Sequence, residues 1–294
     1  MVLQHKDFAK TVRAAFTNYH RCDIMSGEVI YVPVTRSEQG EIYHARDQYV
    51  VKANELIRKT RYSLTVQQHR LLMFAISKIK PGDVSDTWYE STVRDIGKVC
   101  GLDIESGGTY YHRIKEDLKK LQHAEFIMFP DGIERTFSWF AYVEINPSTG
   151  VIRWQYNQYV APYLFELRQK YTQYRLETVI AMRSAYGIRL YELLRSYCNE
   201  RDVQHKKTVV CDIDLNELCG ILAVPPAYKR WADIKRFAIE PAVREINNVS
   251  EDMHVTYQGG RKDGRKFISV YFFVHDPKEI EILGARNTKQ GRLG

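Results

Sequence analysis

Apolar residues recur at three- and four-residue steps in several separate stretches of this chain. Between Leu64 and Ile79 they fall at Leu71, Leu72, Ala75, Ile76 and Ile79, the stripe of one helix face. Thr65 is the predicted N-cap, and Pro81-Gly82 closes the segment. Two more helices follow, in "VRDIGKVCGL" and "GGTYYHRIKEDLKKLQ". The pattern then turns strand-like in "EFIMF", "FSWFAYVEI" and "VIRWQY", and the turn "NPSTG" folds the last two into a hairpin. The order repeats in the second half. "SAYGIRLYELLRSYC", "DLNELCGIL" and residues 231–247 read as helices, and "HVTYQ" and "KFISVYFFV" as strands joined by "GGRKDGR". "IGKVCGL" matches "LNELCGI", Tyr110 falls opposite Tyr228, and Ile114-Lys115 opposite Ile234-Lys235. The copies lie about 120 residues apart, too far for a short solenoid repeat, so the pattern is a duplicated domain. Helix, helix, turn, helix and hairpin make a winged helix, so an α+β fold of two tandem winged-helix domains is expected.

The boundaries follow from these breaks. Residues 1–45 form an N-terminal extension with a strand at "EVIYVPV" and an amphipathic helix before it. Residues 46–165 form the first winged helix, 166–276 the second, and 277–294 a basic C-terminal tail. With 294 residues and 44% hydrophobic content, the chain can bury two cores. Lys and Arg number 43 against 36 Asp and Glu, a net charge of +7 that favours anionic partners. No apolar run approaches the roughly 18–20 residues of a membrane span, and the N-terminus lacks a signal-peptide core. No membrane role and a cytoplasmic location are expected. The five cysteines are scattered and include no C-x-x-C, so reduced thiols and no structural metal are expected.

Catalytic patterns are absent. "GGRKDGRK" has phosphate-loop glycine spacing, but Arg265 and Lys266 stand where Lys and Ser or Thr are needed, and it joins two strands. No His-x-His pair supports a nicking nuclease. The expectation is a protein that is not an enzyme and uses no cofactor or metal.

The stretch "AYKRWADIKRFAIEPAVREIN" carries the strongest signal. With Trp231, Ile234, Ala238, Ala242 and Ile246 buried, Asp233, Arg236 and Glu240 lie opposite on the wheel. Lys229 and Arg230 fall in the turn before the helix or in its first turn. Cations here can reach base edges or phosphates, and Asp233 can accept from a cytosine amino group. Lys235 falls nearer the apolar stripe, and Pro241 should kink the helix beyond its reading end. An amphipathic surface helix has the same pattern. The basic hairpin tip downstream, with Arg261, Lys262, Arg265 and Lys266, favours DNA, because helix and wing form one cationic surface. The first copy offers a weaker version in Thr109, Tyr110, Arg113 and Lys115. Its hairpin is aromatic, through Phe137, Trp139, Phe140, Tyr142, Trp154 and Tyr156, a composition suited to protein contact.

The motifs "VVKANELI", "YSLTVQQHRLLMFAI", "YTQYRLETVIAMRSAYGIRLYELLRSY", "AYKRWADIKRFAIEPAVREIN" and "HVTYQGGRKDGRKFISVYFFV" together resemble the iteron-binding plasmid replication initiators of the RepE/RepA type. The resemblance runs from about Val50 to Val274. It implies a monomer that binds repeated origin sequences in double-stranded DNA, opens the origin, and recruits the host initiator and replicative helicase. It also implies a homodimer, joined through the first domain, that represses its own promoter at an operator inverted repeat; host chaperones are further candidate partners. Carried onto this chain, the main major-groove contacts fall on Arg230, Asp233, Lys235 and Arg236. The alternative is a winged-helix transcriptional regulator without a replication role.

Overall fold

The computed structural model describes residues 19–25, 28–33, 49–101, 109–123, 125–128, 133–165, 167, 170–200 and 208–276. The expected N-terminal helix and the basic tail 277–294 lie outside these described residues. An antiparallel hairpin comes first, β1 (Tyr19–Met25) with β2 (Glu28–Pro33), where the strand "EVIYVPV" was expected.

The first winged helix opens with β3 (Tyr49–Ala53), α1 (Asn54–Lys59), β4 (Thr60–Arg61) and α2 (Val66–Ser77). Helix α2 starts where Thr65 placed it. The Gln68 N–H donates to the Thr65 hydroxyl at 3.2 Å, and the Thr65 N–H donates to Gln68 Oε1 at 3.0 Å. This reciprocal capping satisfies two N–H groups that a helix start leaves without partners. Leu71, Leu72, Ala75, Ile76 and Ile79 are all buried, and Gly82 takes the turn that follows at φ 85°. Then come β5 (Tyr89–Thr92), α3 (Val93–Val99), α4 (Thr109–His123), β6 (Glu125–Met128), β7 (Arg135–Ser138), β8 (Phe140–Ile145) and β9 (Val151–Tyr156).

The second winged helix repeats the order. It comprises β10 (Tyr171–Arg175), α5 (Leu176–Ala181), α6 (Ala185–Glu200), β11 (Thr208–Asp214) and α7 (Leu215–Leu222). Next are α8 (Trp231–Ile234), a π turn (Lys235–Ile239) and α9 (Glu240–Val249). The wing is built from β12 (His254–Gly259), β13 (Lys262–Asp263), β14 (Lys266–Phe267) and β15 (Ser269–His275).

Several strands were not anticipated, and four of them shape the two sheets and the seam. β5 and β11 each enter between two helices and join the hairpin downstream, giving sheets ordered β5-β9-β8 and β11-β15-β12. The alternation was present in β11, where Val209, Cys211 and Ile213 are buried. The other two, β3 and β10, pair with each other antiparallel across the duplication, with Val51 opposite Gln173. Around that pair the copies exchange contacts: α1 packs on α6, and α5 packs on α2. The seam is thus a pseudo-two-fold contact of the kind two identical subunits make.

Charge lies at the bottom of the seam. Lys52 and Glu192 form an ion pair, and Arg189 Nη1 reaches Glu192 Oε2 at 3.3 Å, with all three side chains at most 2% exposed. The Tyr174 hydroxyl also donates to Glu192, while Arg189 donates to the Tyr62 hydroxyl at 2.8 Å and to the Ile57 carbonyl at 3.3 Å. Burial would raise the Glu192 carboxyl, but the facing Lys52 and Arg189 charges outweigh it and hold the group at about 2. Nearby, burial pushes the His69 imidazole down to about 3, and the Arg189 charge adds to the effect. Fixed hydrogen-bond partners around buried charges tie the two domains into one relation.

Candidate nucleic-acid interface

Apolar demand shapes the second reading helix. Ile234, Ala238, Ile239, Ala242, Val243 and Ile246 are buried, while Lys235, Arg236, Phe237, Glu240 and Pro241 are exposed. The expected kink at Pro241 takes the form of the π turn. Pro241 has no N–H, and its ring clashes with the carbonyl four residues back in a regular helix. One extra residue in the preceding turn relieves this, and the Glu240 N–H bonds to the Lys235 carbonyl, five residues back. The wider turn also corrects the placement of Lys235. The wheel put it near the apolar stripe; in the structure it is exposed beside Arg236.

Lys229 and Arg230 are exposed in the turn before α8. Arg230 Nε donates to Asp233 Oδ2 at 3.1 Å, so in the DNA-free protein the aspartate is engaged by its neighbour. That pair is worth little at an exposed position, and a base amino group can replace it at small cost. The Arg236 guanidinium lies 5.2 Å from the Phe237 ring centroid.

The wing is clasped to this helix. Trp231, expected wholly within the core stripe, is half-buried, and its ring sits 5.2 Å from that of Phe267 at the base of the wing. Phe267 in turn lies over Gly259, where a Cβ would come within 2.3 Å of its ring, so the close approach requires glycine. Arg261 Nε donates to Asp212 Oδ2 at 2.9 Å, Lys262 stands 4.6 Å above the Phe267 ring, and Arg265 and Lys266 project from the tip. Gly264 makes the turn at φ 58°. Helix and wing therefore form one cationic surface.

The first copy is poorer. Ile114, Leu118 and Leu121 set the buried stripe of α4, and Tyr110, one turn before Ile114, packs on the same core. Lys115 is half-buried, which leaves Arg113 as the exposed cation among the residues expected to touch DNA there. Thr109 begins α4, but its side chain lies outside the described residues.

Four of the hairpin's six aromatics face inward, although the composition suggested protein contact. "FSWFAYVEI" is two strands, β7 and β8, broken at Trp139. Trp139, Phe140, Trp154 and Tyr156 are at most 3% exposed and fill the domain core. The physical reason is supply: the first domain needs large rings to fill the space between its sheet and α2 and α4. The outer face instead shows Trp88 and Tyr142, 5.2 Å apart, with Arg153 over Trp88 and paired to Glu90.

Sequence reasoning missed the ring pair of Tyr228 and Phe237, stacked at 5.2 Å and 28°. The signal was available, since Phe237 is a large apolar residue off the apolar stripe. Among the described residues, no helix is long and apolar enough to cross a membrane.

Comparison with known proteins agrees with this architecture. The family model described as "Initiator Replication protein, WH1" matches residues 49–195, and "Initiator Rep protein, WH2" matches residues 214–274. Among solved structures, a crystal structure of Pi initiator protein in complex with iteron DNA is similar in fold. It has a TM-score of 0.65 and 20% identity, covering 79% of this chain and 99% of that one. A tandem of winged helices matched by both halves of one family's description places this chain in the initiator replication protein family.

Proposed function

We propose that this chain initiates plasmid replication by binding repeated origin sequences in double-stranded DNA as a monomer. It acts by binding and not by catalysis. It helps open the origin and brings the host initiator and replicative helicase to it, and as a homodimer it represses its own promoter at an inverted repeat. The observation that carries this reading is the clasp of Trp231 on Phe267, which unites the reading helix and a four-cation wing in an initiator-family tandem. Phosphate contacts by Lys229, Lys262, Arg265 and Lys266 supply affinity and register, and Arg236, Asp233, Arg230 and Lys235 meet base edges. The first domain adds Arg113 on a second stretch of duplex. Family membership and the iteron complex of the Pi initiator support the choice of target.

The test is maintenance. A plasmid without its own origin, carrying this gene and adjoining DNA with direct repeats, should persist in a bacterial host and be lost with Arg236→Ala. Specific binding without maintenance would favour the alternative of a transcriptional regulator. For the dimer, the outer face of the first sheet is the surface to test. Trp88→Glu with Tyr142→Glu should lower inverted-repeat repression and keep direct-repeat binding; a variant that still sediments as a dimer would remove this face from consideration.

A further inference from the structure

Resting on the base-reading role proposed for the second domain, we propose that Phe237 is a specificity-determining residue that packs on the 5-methyl group of thymine in the major groove. Phe237 is 45% exposed, although the chain has a core in which to bury it. Two features hold it outside. The π turn rotates position 237 away from the buried stripe, and burial resumes at Ala238 and Ile239 together, as a turn with one extra residue requires. Tyr228, itself packed on the core, stacks beneath the ring at 5.2 Å and fixes its plane. The ring thus stands rigid between Arg236 and the turn bearing Lys229 and Arg230, all three of which are exposed.

Its chemistry limits what it can meet there. A phenyl ring donates no hydrogen bond, and its negative face does not attract phosphate. Of the groups at base edges in the major groove, the apolar one is the thymine methyl. A rigid ring also loses little conformational freedom on contact, so most of the methyl's burial appears as affinity.

The experiment uses the full chain and a duplex of about three helical turns, selected by this protein from a random library. Each thymine is replaced singly by uracil, which removes only the methyl. Each guanine is replaced singly by the deaza analogue lacking N7. Uracil at one or two thymines should weaken wild-type binding about fourfold each, the worth of one buried methyl. Phe237→Ala, melting at the wild-type temperature, should bind thymine and uracil duplexes alike and keep the guanine penalty; Phe237→Leu should retain part of the uracil penalty. A wild-type protein indifferent to uracil at every thymine, or a Phe237→Ala protein that keeps the penalty, overturns the proposal. If the guanine penalty survives in that case, base reading stands without Phe237; if both scans are flat, the base-reading role itself fails.

Discussion

In the first winged helix the hairpin turns through Asn146, Pro147, Ser148, Thr149 and Gly150; in the second it turns through Arg261, Lys262, Asp263, Gly264, Arg265 and Lys266. The first turn is closed on itself, since Asn146 Oδ1 accepts from the Ser148 and Thr149 N–H groups at 2.9 and 3.2 Å. The second is a hairpin closed by the pairing of β13 with β14, and it carries four cations. The starts of their third helices differ in the same direction: the first turns of α4 show Arg113 as the exposed cation, whereas the second copy shows Lys235, Arg236 and Phe237 on a widened turn. One skeleton was used twice, and the exposed cations of wing and helix start are concentrated in the second use. The first copy put most of its hairpin aromatics, Trp139, Phe140, Trp154 and Tyr156, into its core.

The largest effect should separate the two faces of the first wing. Trp139→Glu removes a fully buried ring and buries a charge, and should cost at least about 3–5 kcal/mol of stability. Tyr142→Glu on the outer face should stay within about 0.5 kcal/mol in chemical denaturation. Equal costs would mean the two faces are not distinguished as the structure has them.

Next comes the seam that joins the copies. Glu192→Ala leaves Lys52 and Arg189 buried without their carboxylate and should cost about 3–5 kcal/mol. The pH dependence gives a second check. Glu192 is held at about 2, against about 4.3 in an unfolded chain, so the unfolded state binds more protons between these values. Its contribution is complete above about pH 4.3 and is lost as pH falls towards 2. Buried His69, lowered to about 3, contributes fully above about pH 6.5 and loses that contribution as pH falls through the window below. Acid titration of stability should therefore be flatter in Glu192→Ala below about pH 4.3, and in His69→Gln between about pH 6.5 and 3. A variant with the wild-type slope in its window would contradict the charge assignment.

Binding effects are smaller. Arg236→Ala should cost about 1–3 kcal/mol on the selected site and little on random duplex, measured by fluorescence anisotropy. Equal losses on both would make Arg236 a backbone contact. Smallest are the wings. Lys262→Ala with Arg265→Ala should lower the salt slope of binding by about two counterions. Placing cations in the first wing, as Ser148→Lys with Thr149→Lys, should raise the slope only if that wing also lies against phosphate. An unchanged slope for the second-wing variant would erase the difference between the copies.

Local pattern was enough for the longer helices, the duplication and the cationic tip, but not for the six-residue α1 and α5. Thr65 with Gln68 fixes the start of α2 through atoms three residues apart, and the stripe of Ile234, Ala238, Ala242 and Ile246 declares its buried side without a partner in view. Such features depend on neighbours along the chain, so a sequence displays them. Pairing across the chain is different. β3 and β10 are ordinary five-residue runs, and only folding puts Val51 opposite Gln173 and drops Lys52 onto Glu192. The direction of the aromatic hairpin was decided in the same way. An alternating strand has two apolar-capable faces, and which one becomes core depends on the helices that arrive to cover it. The exposure of Phe237 combines both levels. Pro241 supplies the local reason for a wider turn, and the packing of Ile234, Ala238 and Ile239 into the domain determines that the ring, and not the stripe, is turned towards solvent.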